Sequence, residues 1–487
     1  MIELNDEDPN LILCLQQLQD QGIKYEIHSI QENQLKKIKP KVMEKISTIN
    51  ELALREGYAI AIVGGFVRDL LLGNPSQDVD FVIFKGEINS FTEFIAEEMG
   101  GQIGKMNNQT LTTQIRFPDD VVFEFNTTRK EIYEFPSRVP EVKLGTIVND
   151  LYRRDFTINA FIMFKDKYID IFEGTKDLQN KIIKTAKIPT TVFREDYLRM
   201  FRAIRFATKL DFNIDEEVKD GIKENVTNIL RVPKERILNE LKLSLISNPT
   251  KTFKLMTELD LLSTLFPEIP NIPLNQEIYE HQTTWEKIES KFKYLHENNV
   301  KDSTALIAVM IMELQVSDAL LFEERRIELI KRQEIKVLLK KFKFSNKEIE
   351  EIILYTKYRN ALCRLTEFQA SVLELRLFLR RIDYILENMI QLCSAENMTK
   401  KKKTDLSRVV KKLRKLAKES ELIHVVPQLD GNEISRIFGF KGREIGEIKK
   451  LLSIAIMKEE IQNTKEDSIK YIREKLLNQK DLLLLHY

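Results

Sequence analysis

Strand-type hydrophobic runs occupy only the first part of this 487-residue chain, and from about residue 190 helical periodicity takes over to the end. That division limits the fold to a sheet-containing head followed by a long helical body. The β-type runs are Tyr58–Val63, Val79–Phe84, Leu111–Phe117 and Val121–Phe125, with helical stretches at Val67–Leu72 and Phe91–Met99 between them. Val42, Ile46, Ile49 and Ala53 recur at helical spacing and predict a helix over 41–57. The expected fold class is α+β, with a small mixed α/β head holding one sheet and an elongated all-α body. The segments are 1–40 as a polar N-terminal extension, 41–185 as the head, 186–275 as a helical neck, 276–395 as the helical body and 396–487 as a helical tail.

Composition narrows the function less than it narrows the class. The 76 basic and 75 acidic residues leave a net charge of +1, so contact with a polyanion has to come from local basic surface. Three cysteines, Cys14, Cys363 and Cys393, lack metal-type spacing and fit a reducing compartment. The first residues, with Glu3, Asp6, Glu7 and Asp8, resemble neither a signal nor a transit peptide. No uncharged apolar run approaches the ~20 residues needed to span a bilayer. A cytoplasmic protein without membrane association is expected, and no stable protein partner is evident.

The chemistry concentrates in the head. Gly64-Gly65 follows a strand and precedes a helix, a turn that exposes backbone N–H groups where phosphate oxygens fit. Arg68, one turn in, adds a positive fork. Taken alone, such a glycine pair is more often an ordinary tight turn. Asp78 and Asp80 lie two apart at the start of an apolar strand, hence on one face. Two adjacent carboxylates are costly unless neutralised, which Mg²⁺ ions shared with substrate phosphates accomplish. A pair of such ions activates an attacking hydroxyl and stabilises leaving pyrophosphate. A solvated acidic strand start is the plainer alternative. Glu124 lies opposite Val121, Phe123 and Phe125 in its strand, as a third metal ligand or base, or else on a solvent face.

The combination resembles a known family. Gly64-Gly65-Phe66-Val67-Arg68-Asp69 followed by Asp78-Val79-Asp80 is similar to the head of polymerase-β-type nucleotidyltransferases. Leu151 to Ala160, reading LYRRDFTINA, resembles the second signature of class II CCA-adding enzymes and bacterial poly(A) polymerases. Glu195-Asp196-Tyr197-Leu198-Arg199, with Arg202 and Arg205, resembles their nucleotide-templating helix, although the family usually has proline where Tyr197 stands. Lys234-Glu235-Arg236-Ile237 with Glu240, and then Leu262 with Phe266-Pro267-Glu268-Ile269, extend the match to about residue 270. The sequence 429–446, with Lys441-Gly442-Arg443, is similar to the family's tRNA-binding tail.

The resemblance implies template-independent addition of CMP and AMP, from CTP and ATP, to the 3′ end of tRNA, with Mg²⁺ held by Asp78 and Asp80 and Glu124 as the third carboxylate. It implies that Gly64, Gly65 and Arg68 meet the triphosphate. Arg153, Arg154, Asp155 and Asn159 would recognise ribose and hold the neck. Asp196 and Arg199 would read the base edge, with Arg202 and Arg205 in support. In a helix, Asp196 and Arg199 at i, i+3 would present an acceptor and a donor on one face. The segment 127–142 looks like the flexible loop of tRNA-type members. A-adding or CC-adding enzymes, then poly(A) polymerases, are the alternatives within the family. A catalytically dead RNA-binding protein is the alternative of a different class. None of the five histidines forms a His-Asp dipeptide, so no metallophosphohydrolase module is expected.

Ten basic residues against one acidic stand between Lys400 and Lys418, while Leu406, Val409, Val410, Leu413 and Leu416 recur at helical spacing. Lys411, Lys412 and Lys415 there, with Lys441 and Arg443, are candidate RNA-phosphate contacts. A solvated helix face and a glycine-punctuated turn account for the same residues without RNA.

Overall fold

The computed structural model describes residues 8–107, 111–132, 141–266, 277–279, 282–314, 324–400 and 402–477. The chain divides into two compact units, Met1–Ser247 with Lys251–Phe266, and Asn248–Thr250 with Pro267–Tyr487.

The first unit is built on an eight-stranded sheet. Its strands are β1 (Glu26–Ser29), β2 (Ala59–Val63), β3 (Val79–Lys85), β4 (Gln102–Ile103), β5 (Thr112–Arg116), β6 (Val122–Thr127), and, beyond a β7–β8 hairpin (Arg129–Ile132 and Glu141–Leu144), β9 (Ile162–Phe164) and β10 (Lys167–Asp170). The order across the sheet is β1-β10-β9-β2-β3-β6-β5-β4. β3 and β6 pair in parallel, with Asp80 opposite Glu124, while β2 is antiparallel to β3 with Val63 opposite Asp80. β5 is antiparallel to β6 with Gln114 opposite Glu124. Val63, Asp80, Glu124 and Gln114 therefore form one row across four strands, and cross-strand neighbours share a face.

Alternation along β6 buries Phe123 and Phe125 and turns Val122, Glu124 and Asn126 outward. The buried face packs Phe81 on Phe125 at 5.2 Å between ring centroids, with Phe91 and Phe117 against the same aromatic layer. A second cluster joins Leu11, Cys14, Leu15 and Leu18 to Ala61, Val63, Ile147, Leu151 and Ile162.

Here the structure corrects the sequence reading. The described residues 8–40 are part of the head: Pro9–Asp20 is a helix in that second cluster, and β1 is the edge strand paired with β10. β9 and β10 were not expected either, because their runs are three and four residues long and too short for periodicity to register. Short strands also occur beyond residue 190, at Asn213–Ile214, Glu277–Tyr279 and Gln282–Thr283. All three cysteines are free and buried.

The described part of the second unit is dominated by helices. Thr284–Glu297 packs on Leu386–Met398 and on Ser303–Leu314, which in turn packs on Asn346–Tyr358. Asp302 ties three of these together, accepting from Tyr355 Oη at 2.8 Å and Asn388 Nδ2 at 2.7 Å. In the helix Ser407–Leu416, Val409, Leu413 and Leu416 are buried while Lys411, Lys412 and Lys415 are exposed. Arg414 of that helix is bound to Glu387. Lys441 and Arg443 are exposed on either side of Gly442, at the start of the helix Arg443–Met457. Among the described residues no helix is long and apolar enough to cross a membrane.

Candidate active site

A cavity of about 630 Å³ lies over the row of cross-strand neighbours in the first unit. Val63, Asp80, Glu124 and Gln114 line it, together with the guanidinium groups of Arg129, Arg153, Arg154 and Arg202.

Gly64 closes the β2 end. Its φ of +79° lies in the region L side chains rarely adopt, and an added Cβ would meet Arg154 Nη1 at 3.1 Å and Asp80 Oδ2 at 3.3 Å. The glycine thus brings backbone, a carboxylate and a guanidinium together where no side chain fits. Gly65 opens the helix Gly65–Leu71. Arg68, on that helix, is only 3% exposed and does not line the cavity. It donates to Asp69 and, at 2.5 Å, to Asn159 Oδ1, and it lies over the Phe206 ring. The structure thus gives Arg68 a bracing position beneath the glycine turn.

Asp80 carries the strongest electrostatic signature. Burial, then the charge of Glu124, and less strongly that of Asp78, push its carboxyl up to about 6, against an opposing pull from Arg154. Asp78 is exposed just before β3. The two oxygens of Glu124 each accept a side-chain amide, from Gln114 Nε2 and Asn126 Nδ2, both at 3.3 Å. Among the described residues no three His, Cys, Asp or Glu side chains form a ready-made metal cage. The donor set still fits a hard cation: Mg²⁺ is usually bound through one or two carboxylates, with waters and substrate phosphates completing the shell. Two half-buried carboxylates in register, with the Asp80 carboxyl raised, are the like-charge pair that such a cation would relieve.

The second signature folds as a basic wall. The helix Ile147–Tyr152 places Asp150 three and four residues before the two arginines, and the fully buried Asp150 bridges Arg153 at 2.6 Å and Arg154 at 2.9 Å. Burial works to raise the Asp150 carboxyl, but Arg153 and Arg154 together hold it below the ordinary carboxylate value. Asp155 accepts from Asn159 Nδ2 and from Arg202, the latter at 2.6 Å. Against the effect of burial, Arg202, the Asn159 bond and Arg199 bring it to about 2.

The segment expected to template base choice is not one continuous helix. Asp196 and Arg199 do not share a helix: the helix Pro189–Glu195 ends at Asp196, which is extended, and the next helix begins at Arg199. The Asp196 side chain causes part of this break by accepting from Leu198 N at 3.0 Å, a local bond that competes with helix. Its other oxygen accepts from Arg236 at 2.7 Å. Arg199 is largely buried and donates to Val192 O, Glu195 and Arg153 O. These bonds use three of its five N–H groups. Arg205 is paired with Glu240 at 2.6 Å and lies over Phe206, outside the cavity lining.

Sequence reasoning missed Arg129, Asp150, Lys105, Gln114 and Asn126. The i−3 and i−4 spacing of Asp150 from the arginine pair was a usable signal, as was the strand alternation that puts Gln114 beside Thr112 and Arg116. The segment 133–140 of the expected flexible loop, Lys401 in the basic run and Pro267-Glu268-Ile269 lie outside the described residues.

Residues 60–184 match the poly(A) polymerase head domain, and residues 211–272 match the probable RNA- and SrmB-binding site of polymerase A. Over its head and the segment after it the chain is thus similar to poly(A) polymerases and CCA-adding enzymes. A CCA-adding enzyme of Limosilactobacillus reuteri is 35% identical over 227 residues, covering 44% of this chain and 53% of the relative. An A-adding tRNA nucleotidyltransferase of Geobacter sulfurreducens is 37% identical over 219 residues, covering 43% of this chain and 24% of the relative. The chain thus spans about a quarter to about half the length of these curated relatives. The fold is that of the Bacillus stearothermophilus CCA-adding enzyme solved in complex with CTP, with a TM-score of 0.67 at 22% identity over 91% of this chain and all of that one. The Thermotoga maritima CCA-adding enzyme complexed with tRNA gives 0.59 at 22% identity, over 92% of this chain and 99% of that one. The matched head domain is that of a nucleotidyltransferase class known to use divalent metal ions.

Proposed function

We infer that this chain is a template-independent nucleotidyltransferase that adds CMP and AMP to the 3′ end of tRNA. The observation that carries the reading is one cavity holding Asp80 and Glu124 side by side in register beneath four guanidinium groups. The arginine wall suits a triphosphate, and the carboxylates suit Mg²⁺, held by Asp80 and Asp78 with Glu124 as third carboxylate. When bound, the metal would lower the pKa of the attacking hydroxyl and offset charge on the phosphates. The RNA 3′-oxygen attacks the α-phosphorus of the nucleotide, a phosphodiester forms, the α–β bond breaks and pyrophosphate leaves. Arg154, beside Gly64, binds phosphate oxygens, and Arg153 and Arg202 hold the rest of the nucleotide. Asp155 and Asn159 keep Arg202 and Arg68 in place.

Base choice is assigned to Asp196 and Arg199. The Asp196 carboxylate accepts the exocyclic amino group that cytosine and adenine share, and the N–H groups of Arg199 not spent on its carbonyl bonds donate to the ring nitrogen. The 186–275 neck therefore carries specificity, and the tail from 396 onward, through Lys411, Lys412, Lys415, Lys441 and Arg443, carries tRNA contact. A cytoplasmic location follows from a tRNA substrate.

Incubation with labelled CTP and ATP, supplied separately, tests the reading on three RNAs: one ending before the CCA, one after CC, and one unrelated. CMP incorporation on the first RNA and AMP on the second is the expected result. AMP incorporation on the second alone would favour an A-adding enzyme, as in the Geobacter relative. Runs of A on the unrelated RNA would favour a poly(A) polymerase, and no transfer at all would favour a dead RNA-binding protein.

A further inference from the structure

The cavity has two chemically different sides. The row Val63, Asp80, Glu124, Gln114 fixes the direction across it, because these residues sit on β2, β3, β6 and β5 in that order. Arg154 stands at the β2 end, against Gly64 and Asp80. At the β5 end the lining is Gly104, Lys105, Asn107, Thr112, Gln114 and Asn126, with a single formal charge among them. A triphosphate carries several negative charges and belongs with the arginines. The other side suits a ligand that is rich in hydroxyls and poor in charge.

Gln114 has the equipment for one. It is exposed into the cavity, and its Nε2 gives one hydrogen to Glu124. A side-chain amide has two N–H donors and an acceptor oxygen, so a donor and the carbonyl oxygen remain. Asn126 is spent differently: its Oδ1 accepts from Thr112 Oγ1 at 2.6 Å and its Nδ2 donates to Glu124. Asn126 therefore fixes Glu124, and Gln114 both fixes it and faces outward. A group offering a donor and an acceptor together matches a hydroxyl, and the ribose 2′-hydroxyl is the hydroxyl that distinguishes RNA from DNA.

We propose that the β5 side of the cavity, centred on Gln114, is the subsite for the terminal ribose of the acceptor RNA, and that Gln114 reads its 2′-hydroxyl. The inference rests on the nucleotidyltransferase reading of the same cavity. It places the acceptor 3′-oxygen beside Glu124, on the far side of Asp80 from Arg154, so that the α-phosphorus lies between the two half-sites. Lys105 then meets the last phosphodiester.

The test uses the full chain and two acceptor RNAs that differ only at the terminal sugar, ribose or 2′-deoxyribose. Wild type is expected to prefer the ribose acceptor by about tenfold in kcat/KM, the size of one or two neutral hydrogen bonds. Gln114→Leu is expected to lower kcat/KM on the ribose acceptor to near the deoxyribose value, with the KM for the incoming nucleotide unchanged. Asn126→Ala is expected to slow both acceptors alike and to keep the preference, since it acts only through Glu124. A full preference surviving in Gln114→Leu would overturn the subsite, as would an equal loss on both acceptors, which would reduce Gln114 to a brace for Glu124. No transfer by wild type to either RNA would overturn the functional reading and the subsite with it.

Discussion

Asp80 and Glu124 are register partners in the parallel pair β3–β6, and burial together with the Glu124 charge keeps the Asp80 carboxyl well above its ordinary value. The relationship costs the apo-protein stability, because the folded state disfavours the ionised form. Asp80→Asn removes the charge at nearly constant volume. Its expected outcome is a melting temperature equal to or above wild type together with loss of transfer by about a thousandfold or more, since several kcal/mol of charge stabilisation disappears with the metal ligand. Asp78→Ala should abolish transfer as well. Metal-dependent transfer near the wild-type rate in either variant would remove the assignment, and calorimetry reads the stability half independently.

Variants at Arg199 and Asp196 are expected to separate stability from specificity. Arg199 is 8% exposed and holds Glu195 and two carbonyls. Arg199→Ala strands those partners and should cost about 3 kcal/mol in denaturant unfolding, besides weakening selection of CTP and ATP. Asp196 faces the half-exposed Arg236. Asp196→Asn should leave unfolding nearly unchanged while discrimination against UTP and GTP falls by roughly 1–3 kcal/mol. Unaltered nucleotide preference in Asp196→Asn would place the template elsewhere.

Several features of the head were legible in the sequence because they are local. Strand–glycine–helix at 58–72 and the alternation around Glu124 need only neighbours within a few residues, and the elements appear within two or three residues of where the pattern puts them. The long-range pairings were not legible. Gln114 reaches Glu124 through an antiparallel register, and Arg199 reaches Arg153 O across 46 residues. Nothing in either segment's periodicity encodes the other. The same limit hid β1, which exists because β10 offers it an edge. The break at Asp196 was missed for the opposite reason: a local side-chain bond to Leu198 N helps interrupt a pattern that read as continuous helix.

Asp155 links the basic wall to acid stability. Its folded pKa of about 2 lies below the ordinary carboxylate value of 3.8. A depressed acid pKa contributes stability above the unfolded value and loses it as pH falls through the folded one. The contribution, roughly 2 kcal/mol, should be complete above about pH 4 and vanish towards about pH 2. Asp155→Asn should be less stable than wild type at neutral pH, and the gap should narrow through that window. A stability difference independent of pH between 5 and 2 would assign the pairing with Arg202 no such role.

The tail carries the last prediction. The helix Ser407–Leu416 buries Val409, Leu413 and Leu416 and leaves Lys411, Lys412 and Lys415 exposed, while its Arg414 is already paired with Glu387. With a net charge of only +1, the chain has no long-range attraction to offer tRNA, so local patches have to supply it. Each lysine that meets a phosphate releases counterions, which makes binding fall with salt. Charge reversal of Lys411, Lys412 and Lys415 should therefore raise the KM for tRNA and flatten its salt dependence, with the slope of log K against log salt reduced by up to about 3. Melting should be unaffected, because the three side chains lie outside the buried face. Transfer to a minimal acceptor stem should barely change, since Asp80, Glu124 and the arginine wall belong to the other compact unit. Equal KM values for full tRNA in wild type and triple variant, at low and at moderate salt, would leave this helix a solvated face of the scaffold.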